Sequence, residues 1–96
     1  MAGIVQTELI SEQEWDQLQQ YLDLSPRQAE IVREILHGKS DKQIARELDI
    51  ALPTVRTHLG RLFQKFDLND RVELILHVFA SLRSHFEEWS PVPVGG

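Results

Sequence analysis

Twenty residues, Asp41 to Gly60, leave this chain few ways to fold, because small and apolar side chains recur there at fixed positions. Ala45 offers a small side chain where a second helix can cross closely, and the apolar Ile44 and Leu48 flank it. Four residues after the alanine stands Asp49, one of the few residue types besides glycine that tolerate a left-handed backbone. The pattern predicts two short helices that cross tightly around a turn at position 49.

The second of these helices is predicted to run from about Leu52 to Phe66. On a helix that turns about 100° per residue, its apolar residues gather on one side: Val55, Leu59, Leu62 and Phe66. The opposite side carries Arg56, Thr57, Gly60, Arg61 and Gln64. Arginine donates paired hydrogen bonds to guanine and a threonine methyl contacts that of thymine, so this face suits the major groove of DNA. Two helices so arranged form a helix-turn-helix, a motif that places its second helix in that groove.

Paired N-terminal capping residues predict three helices before the Leu52–Phe66 helix and one after it. Each pair places a short polar residue before the helix and Glu or Gln three residues later: Ser11 with Glu14, Ser25 with Gln28, Ser40 with Gln43, and Asp70 with Glu73. No run of alternating apolar and polar residues predicts a strand. Helical spacing predicts these further core residues: Trp15, Leu18, Tyr21, Leu22, Ala29, Val32, Ile35, Leu36, Leu74, Ile75, Val78, Phe79, Leu82 and Phe86.

The charge of the chain is segregated. The net charge is −5, yet residues 24–66 hold eight Lys and Arg against five Asp and Glu, a local charge of +3, between two acidic ends. Local charge matters more than the total for neutralising phosphates. There is no cysteine, which excludes disulfides and thiolate metal sites, and no apolar run is long enough for a membrane span. We expect a cytoplasmic protein without a cofactor.

Four segments together resemble the LuxR/GerE-type DNA-binding domain over about residues 24–80: Leu24–Val32, Gly38–Ala45, Thr54–Leu59 and Lys65–Phe66. The resemblance implies a four-helix bundle whose third helix reads the major groove and whose fourth forms a two-fold dimer. Here an additional helix precedes that bundle, and the fold class is all-α. The implied base-reading residues are Arg56, Thr57 and Gly60, and the implied phosphate-contacting residues are Lys42, Thr54, Arg61 and Lys65. For the dimer interface we predict Leu74, Ile75, Val78 and Phe79, because the last helix carries more apolar residues than so small a core can bury.

Three positions depart from the family pattern, which usually has Gly at 49, Ser at 51 and a longer polar residue at 60. Ala51 lacks a helix cap worth about 1 kcal/mol, and Pro53 partly compensates by fixing φ. Gly60 costs the helix about 1 kcal/mol relative to alanine, which close approach of the backbone to DNA would justify. We divide the chain into an acidic extension with one helix (1–23), the DNA-binding domain with its dimerisation helix (24–89) and a disordered tail (90–96). Only 23 residues precede the motif, so we expect a stand-alone member without the receiver or ligand-binding domain that family members often carry.

The expected function is therefore a dimeric transcription regulator that binds duplex DNA, with RNA polymerase as a further partner. One alternative is a protein-interaction module that kept the fold and lost strong DNA binding, which the net charge and Gly60 favour. A second alternative is the promoter-reading domain of a sigma factor. An enzyme is the least favoured hypothesis, because no nucleophile has a nearby base. Glu30 is interpreted as a structural partner of a basic residue and His58 as a packing residue. The terminal helices either dimerise or pack together within one chain.

Overall fold

The computed structural model describes residues 10–89, with side chains given for residues 10–84. This part of the chain forms five α-helices and no strand. The helices are α1 (Glu12–Leu22), α2 (Pro26–Leu36), α3 (Asp41–Leu48), α4 (Leu52–Phe66) and α5 (Arg71–Trp89). The predicted all-α class and the extra N-terminal helix are confirmed. The tail 90–96, which we predict to be disordered, lies outside the described residues.

The predicted helix starts are present as complete capping boxes on the first three helices. Ser11, Ser25 and Ser40 each accept a hydrogen bond from the backbone N–H of the third helical residue, whose side chain accepts one in return. At α5, Asp70 accepts from the Glu73 N–H at 2.9 Å, as predicted, but the Glu73 carboxylate accepts from the Asn69 N–H instead of the Asp70 N–H. These local bonds satisfy backbone donors that have no partner within the helix.

Three helices end on an aspartate whose backbone is left-handed. Asp49, predicted for this role, has φ 54°, and Asp23 and Asp67 both have φ 56°. An aspartate adopts this conformation at little cost, and at Asp49 the turn lets α4 pack across α3.

One apolar core runs through all five helices. α3 and α2 pack on α4, α2 also packs on α3 and α5, and α1 packs on α5. Trp15 and Leu18 of α1 are buried in the same cluster as Ile44 of α3 and Leu62 of α4. The N-terminal helix therefore packs against the last helix within a single chain, one of the two arrangements that the sequence allows.

Four core assignments differ from the prediction: besides Tyr21 and Ile31, Ile10 and Leu24 are buried although the prediction omits them. Tyr21 was expected in the core but is 47% exposed, whereas Ile31, absent from the predicted core, is completely buried. Tyr21 stands at the edge of the apolar stripe of α1, where helical spacing alone cannot separate core from rim. Phe86 belongs to α5, but its side chain lies outside the described ones.

A charged contact ties α1 to α2. The Arg33 guanidinium donates two hydrogen bonds to the Glu12 carboxylate and lies 5.4 Å from the centre of the Trp15 ring. Its hydrogen bonds lower the pKa of Glu12 below the ordinary glutamate value. The contact joins the start of α1 to α2 beside the buried Trp15.

Candidate DNA interface

The α3–α4 turn has the geometry that the sequence predicts. The Asp49 N–H donates to the carbonyls of Ala45 and Arg46, and the Ile50 N–H donates to the Ala45 carbonyl at 3.0 Å. These bonds close α3 and direct the chain into α4, which packs across it. Ala45 is partly buried against the core, where its small side chain allows the close crossing.

α4 divides into a buried stripe and an open polar face, as predicted. Val55 and Leu62 are completely buried and Leu59 is 5% exposed, while Phe66 is partly buried. Arg56, Thr57, Arg61 and Gln64 are exposed, and Gly60 lies among them with intermediate burial. A Cβ added at Gly60 would meet no atom within 4 Å. The open face therefore presents two guanidinium groups beside a bare stretch of backbone.

The Thr57 hydroxyl is used within its own helix. Its Oγ1 donates to the Pro53 carbonyl at 2.9 Å, one turn earlier. The methyl group is therefore the part of this side chain best suited to contact another molecule. Pro53 itself stands in the first turn of α4, where Ala51 makes no side-chain cap hydrogen bond. Both features agree with the prediction from sequence.

The basic residues of this region differ in how strongly they are paired. Lys42 and Arg61 are exposed, and neither takes part in an ion pair among the residues whose side chains are described. The Lys39 ammonium lies 2.6 Å from a Glu34 oxygen and 3.5 Å from a Glu47 oxygen, and the hydrogen bond to Glu34 raises the pKa of Lys39. Only part of the local positive charge is thus available for phosphate.

Two of the predicted phosphate contacts have opposite surroundings. Thr54 is exposed in the first turn of α4. Lys65, by contrast, donates to the Asp23 backbone carbonyl and lies 3.8 Å from the Asp23 carboxylate, with its side chain 32% exposed. Its ammonium joins α4 to the end of α1, and one of its three N–H donors is thus already used.

A cluster that sequence reasoning missed lies beside the open face of α4. The Asp41 carboxylate accepts a hydrogen bond from Arg71, and its other oxygen is 3.7 Å from Nε of Arg56. Arg71 also donates to the Lys39 carbonyl. Asp41 and Arg71 are thirty positions apart, so no local sequence pattern indicates the contact. Each begins a helix, and only the tertiary arrangement of the helices brings them together.

The predicted dimer residues fall into two groups. Leu74 and Val78 are each 1% exposed in the core of one chain, which corrects their assignment to an interface: a partner cannot reach them in the folded domain. Ile75 and Phe79 are only partly buried. Two residues of α5 that the prediction omitted, Val72 and Leu76, are 62% and 63% exposed. Sequence spacing identified an apolar helix but not which of its sides faces outward.

Other candidate sites have ordinary structural explanations. Glu30 is exposed and lies 3.4 Å from Arg27 on its own helix, so its partner is local. His58 borders the buried stripe with intermediate exposure. No group of three or more potential metal ligands occurs in the described part of the chain. Within the same residues, no helix combines the length and apolar character that a bilayer crossing requires.

Comparison with known proteins agrees with this geometry. Residues 22–78 match the model of the family described as bacterial regulatory proteins, luxR family. The chain is 46% identical over 52 residues to the monoamine regulon transcriptional regulator of Klebsiella aerogenes, a match covering 54% of this chain and 23% of that protein. It is 40% identical over 55 residues to the nitrate/nitrite response regulator NarL of Escherichia coli, covering 57% of this chain and 26% of NarL.

The transcriptional regulatory protein LiaR of Bacillus subtilis is 37% identical over 54 residues, covering 56% of this chain and 26% of LiaR. The matches to these curated relatives therefore span about a quarter of their length. No solved structure gives a significant match.

Proposed function

This chain belongs to the luxR family of bacterial regulatory proteins, and we propose that it acts as a dimeric transcription regulator that reads duplex DNA with α4. The observation that carries the proposal is the open face of α4, which is polar and unobstructed directly opposite a fully buried stripe. A helix fixed in this way can enter the major groove without disturbing the core.

Each residue of that face has a chemical role in the proposal. Arg56 donates to guanine, the Thr57 methyl contacts that of thymine, and Gly60 lets the helix backbone approach the bases. Lys42, Thr54 and Arg61 contact backbone phosphates on either side and set the register of the helix in the groove. Lys65 contributes through the N–H donors that its contact with the Asp23 carbonyl leaves free.

For the dimer we propose a second copy of this chain on the outward side of α5. Val72, Leu76 and the partly buried Ile75 and Phe79 supply apolar surface there. A groove beside them is lined by Leu76 and Phe79 and carries the opposite charges of Glu14 and Arg83. In a two-fold dimer centred on this groove, we propose that Glu14 of each copy pairs with Arg83 of the other, since the same surface patch serves both copies. Such a dimer binds two half-sites about one helical turn apart.

The proposal predicts that Arg56→Ala abolishes recovery of a specific site. We would select binding sites from a random duplex pool with the wild type and with Arg56→Ala. The wild type is expected to enrich a two-fold symmetric site, and the variant none, because a bidentate arginine–guanine pair supplies about 1–3 kcal/mol of discrimination per half-site.

Arg27→Ala is the matched control, because Arg27 pairs with Glu30 on the surface of α2 and is not among the residues proposed to contact DNA. It should select the same site as the wild type. Affinity should also fall steeply with salt, as phosphate neutralisation requires. If the wild type enriches no sequence at low salt and shows no salt dependence, the proposal fails. The acidic ends then favour the alternative of a protein-interaction module.

A further inference from the structure

The contacts of Asp41 indicate a role in DNA recognition, although its carboxylate is negatively charged, as is DNA. Asp41 opens α3 and lines a shallow cleft with Ser40, Lys42, Arg56 and Arg71. One of its carboxylate oxygens faces Arg71 and the other faces Arg56. A carboxylate at this place repels nearby phosphates unless another group neutralises it.

Arg71 offsets part of the charge of that carboxylate and fixes its position. Its guanidinium donates to Asp41 through one nitrogen and to the Lys39 backbone carbonyl through another. The side chains of Arg71 and Asp41 are 33% and 29% exposed, so the pair is partly shielded from water. Because Arg71 is the first residue of α5 and Asp41 the first of α3, two helix starts hold the carboxylate in place.

Arg56 meets this fixed carboxylate through Nε, at 3.7 Å, while its side chain remains 63% exposed. Nε is the inner nitrogen of the guanidinium, so the contact leaves the two terminal nitrogens to donate to another molecule. A free arginine on a helix surface loses much rotamer freedom when it binds. A contact that orients it beforehand lowers that cost.

We propose that Asp41 is a positioning residue for sequence reading: held by Arg71, it orients Arg56 so that the terminal nitrogens face a guanine. This inference rests on the proposed function of α4. Asp41 then has two effects of opposite sign on DNA binding. Its charge weakens binding to any duplex, and its contact with Arg56 strengthens binding to the specific site alone.

Asp41→Asn separates the two effects. Affinity for random duplex should rise about twofold, because one negative charge near the phosphates is removed. Affinity for the selected site should fall about threefold, the size of effect that an exposed ion pair supplies. Asp49→Asn is the control, because it removes the same charge from the other end of α3 and asparagine also tolerates a left-handed backbone. It should change affinity for both duplexes by the same factor.

The decisive measurement repeats Asp41→Asn in the Arg56→Ala background. There the substitution should raise affinity for both duplexes alike, because no arginine remains to be oriented. Equal changes for both duplexes in the presence of Arg56, or a loss of discrimination that persists in its absence, would overturn the inference. Circular dichroism and the urea unfolding midpoint verify that each variant is folded. A wild type that binds DNA specifically while Asp41→Asn leaves discrimination unchanged contradicts this inference alone, whereas a wild type that binds no DNA contradicts the proposed function.

Discussion

Gly60 occupies an interior position of α4 although glycine stabilises a helix less than any residue except proline. A Cβ at this position would meet no atom within 4 Å. We therefore expect Gly60→Ala to raise the free energy of unfolding by about 1 kcal/mol, because alanine restricts the unfolded chain and adds no clash. Urea denaturation followed by circular dichroism at 222 nm measures the change.

The matched control is Gly38→Ala, at the turn after α2. Gly38 has φ 81°, a region that residues with a Cβ rarely adopt. This substitution should lower the free energy of unfolding by about 1 kcal/mol or more. A loss of stability in Gly60→Ala would show that the fold itself requires the glycine. A gain would show that the fold does not require Gly60 and would favour a role for the glycine in what α4 binds.

At the scale of the helix, the weak point of α4 is its start. Ala51 has φ −71° and ψ 146°, close to the backbone of the serines that cap α1, α2 and α3, but it makes no side-chain cap bond. We expect Ala51→Ser to raise the free energy of unfolding by up to about 1 kcal/mol, because the hydroxyl can accept from the Thr54 N–H, which otherwise donates to the Ala51 carbonyl at 3.0 Å. Thermal unfolding gives the change as a higher Tm.

Ser40→Ala provides the reverse change at the start of α3, where the Ser40 hydroxyl accepts from the Gln43 N–H at 3.2 Å. It should lower the free energy of unfolding by a similar amount. If Ala51→Ser leaves the Tm unchanged while Ser40→Ala lowers it, the first turn of α4 is already satisfied without a cap, and the role assigned to Ala51 is wrong.

Features that depend on residues close together in the sequence could be predicted, whereas contacts between distant segments could not. Capping boxes, the left-handed Asp49 and the two faces of α4 depend on residues within one or two turns, and they were predicted correctly. The contact of Lys65 with Asp23 joins residues 42 positions apart, and that of Arg71 with Asp41 joins residues 30 apart. Such pairs depend on how the helices pack, as does the division of α5 into core residues such as Leu74 and outward residues such as Leu76.

At the scale of the whole molecule, the two proposed surfaces lie on different helices and share one core. The DNA-reading face belongs to α4 and the dimer surface to α5, while α1 adds Trp15 and Leu18 to the core beneath them. α1 also contributes Glu14 to the groove beside Leu76. The helix that precedes most of the matched family segment is therefore part of the same packed unit and borders the proposed dimer surface.

This arrangement predicts that dimerisation can be removed without unfolding the chain. Leu76 is 63% exposed in the single chain, so Leu76→Glu places a charge on the surface and leaves the core intact. Against a second copy, the same charge would lose its water. We expect sedimentation equilibrium to show a wild-type dimer and a Leu76→Glu monomer, with the same helical content by circular dichroism.

Loss of the dimer should also lower the affinity for DNA. Linking two half-site contacts in one dimer typically raises affinity by about 100-fold or more over a single contact. Leu76→Glu should bind the full two-fold site without that increase in affinity. Its affinity for an isolated half-site should equal that of one wild-type subunit. Gln13→Glu, which adds the same charge at an exposed position of α1, should remain dimeric. A wild type that stays monomeric at high concentration would refute the dimer, and a Leu76→Glu variant that still dimerises would place the interface elsewhere than α5. In both cases the proposal that α4 reads DNA would depend on the Arg56→Ala selection alone.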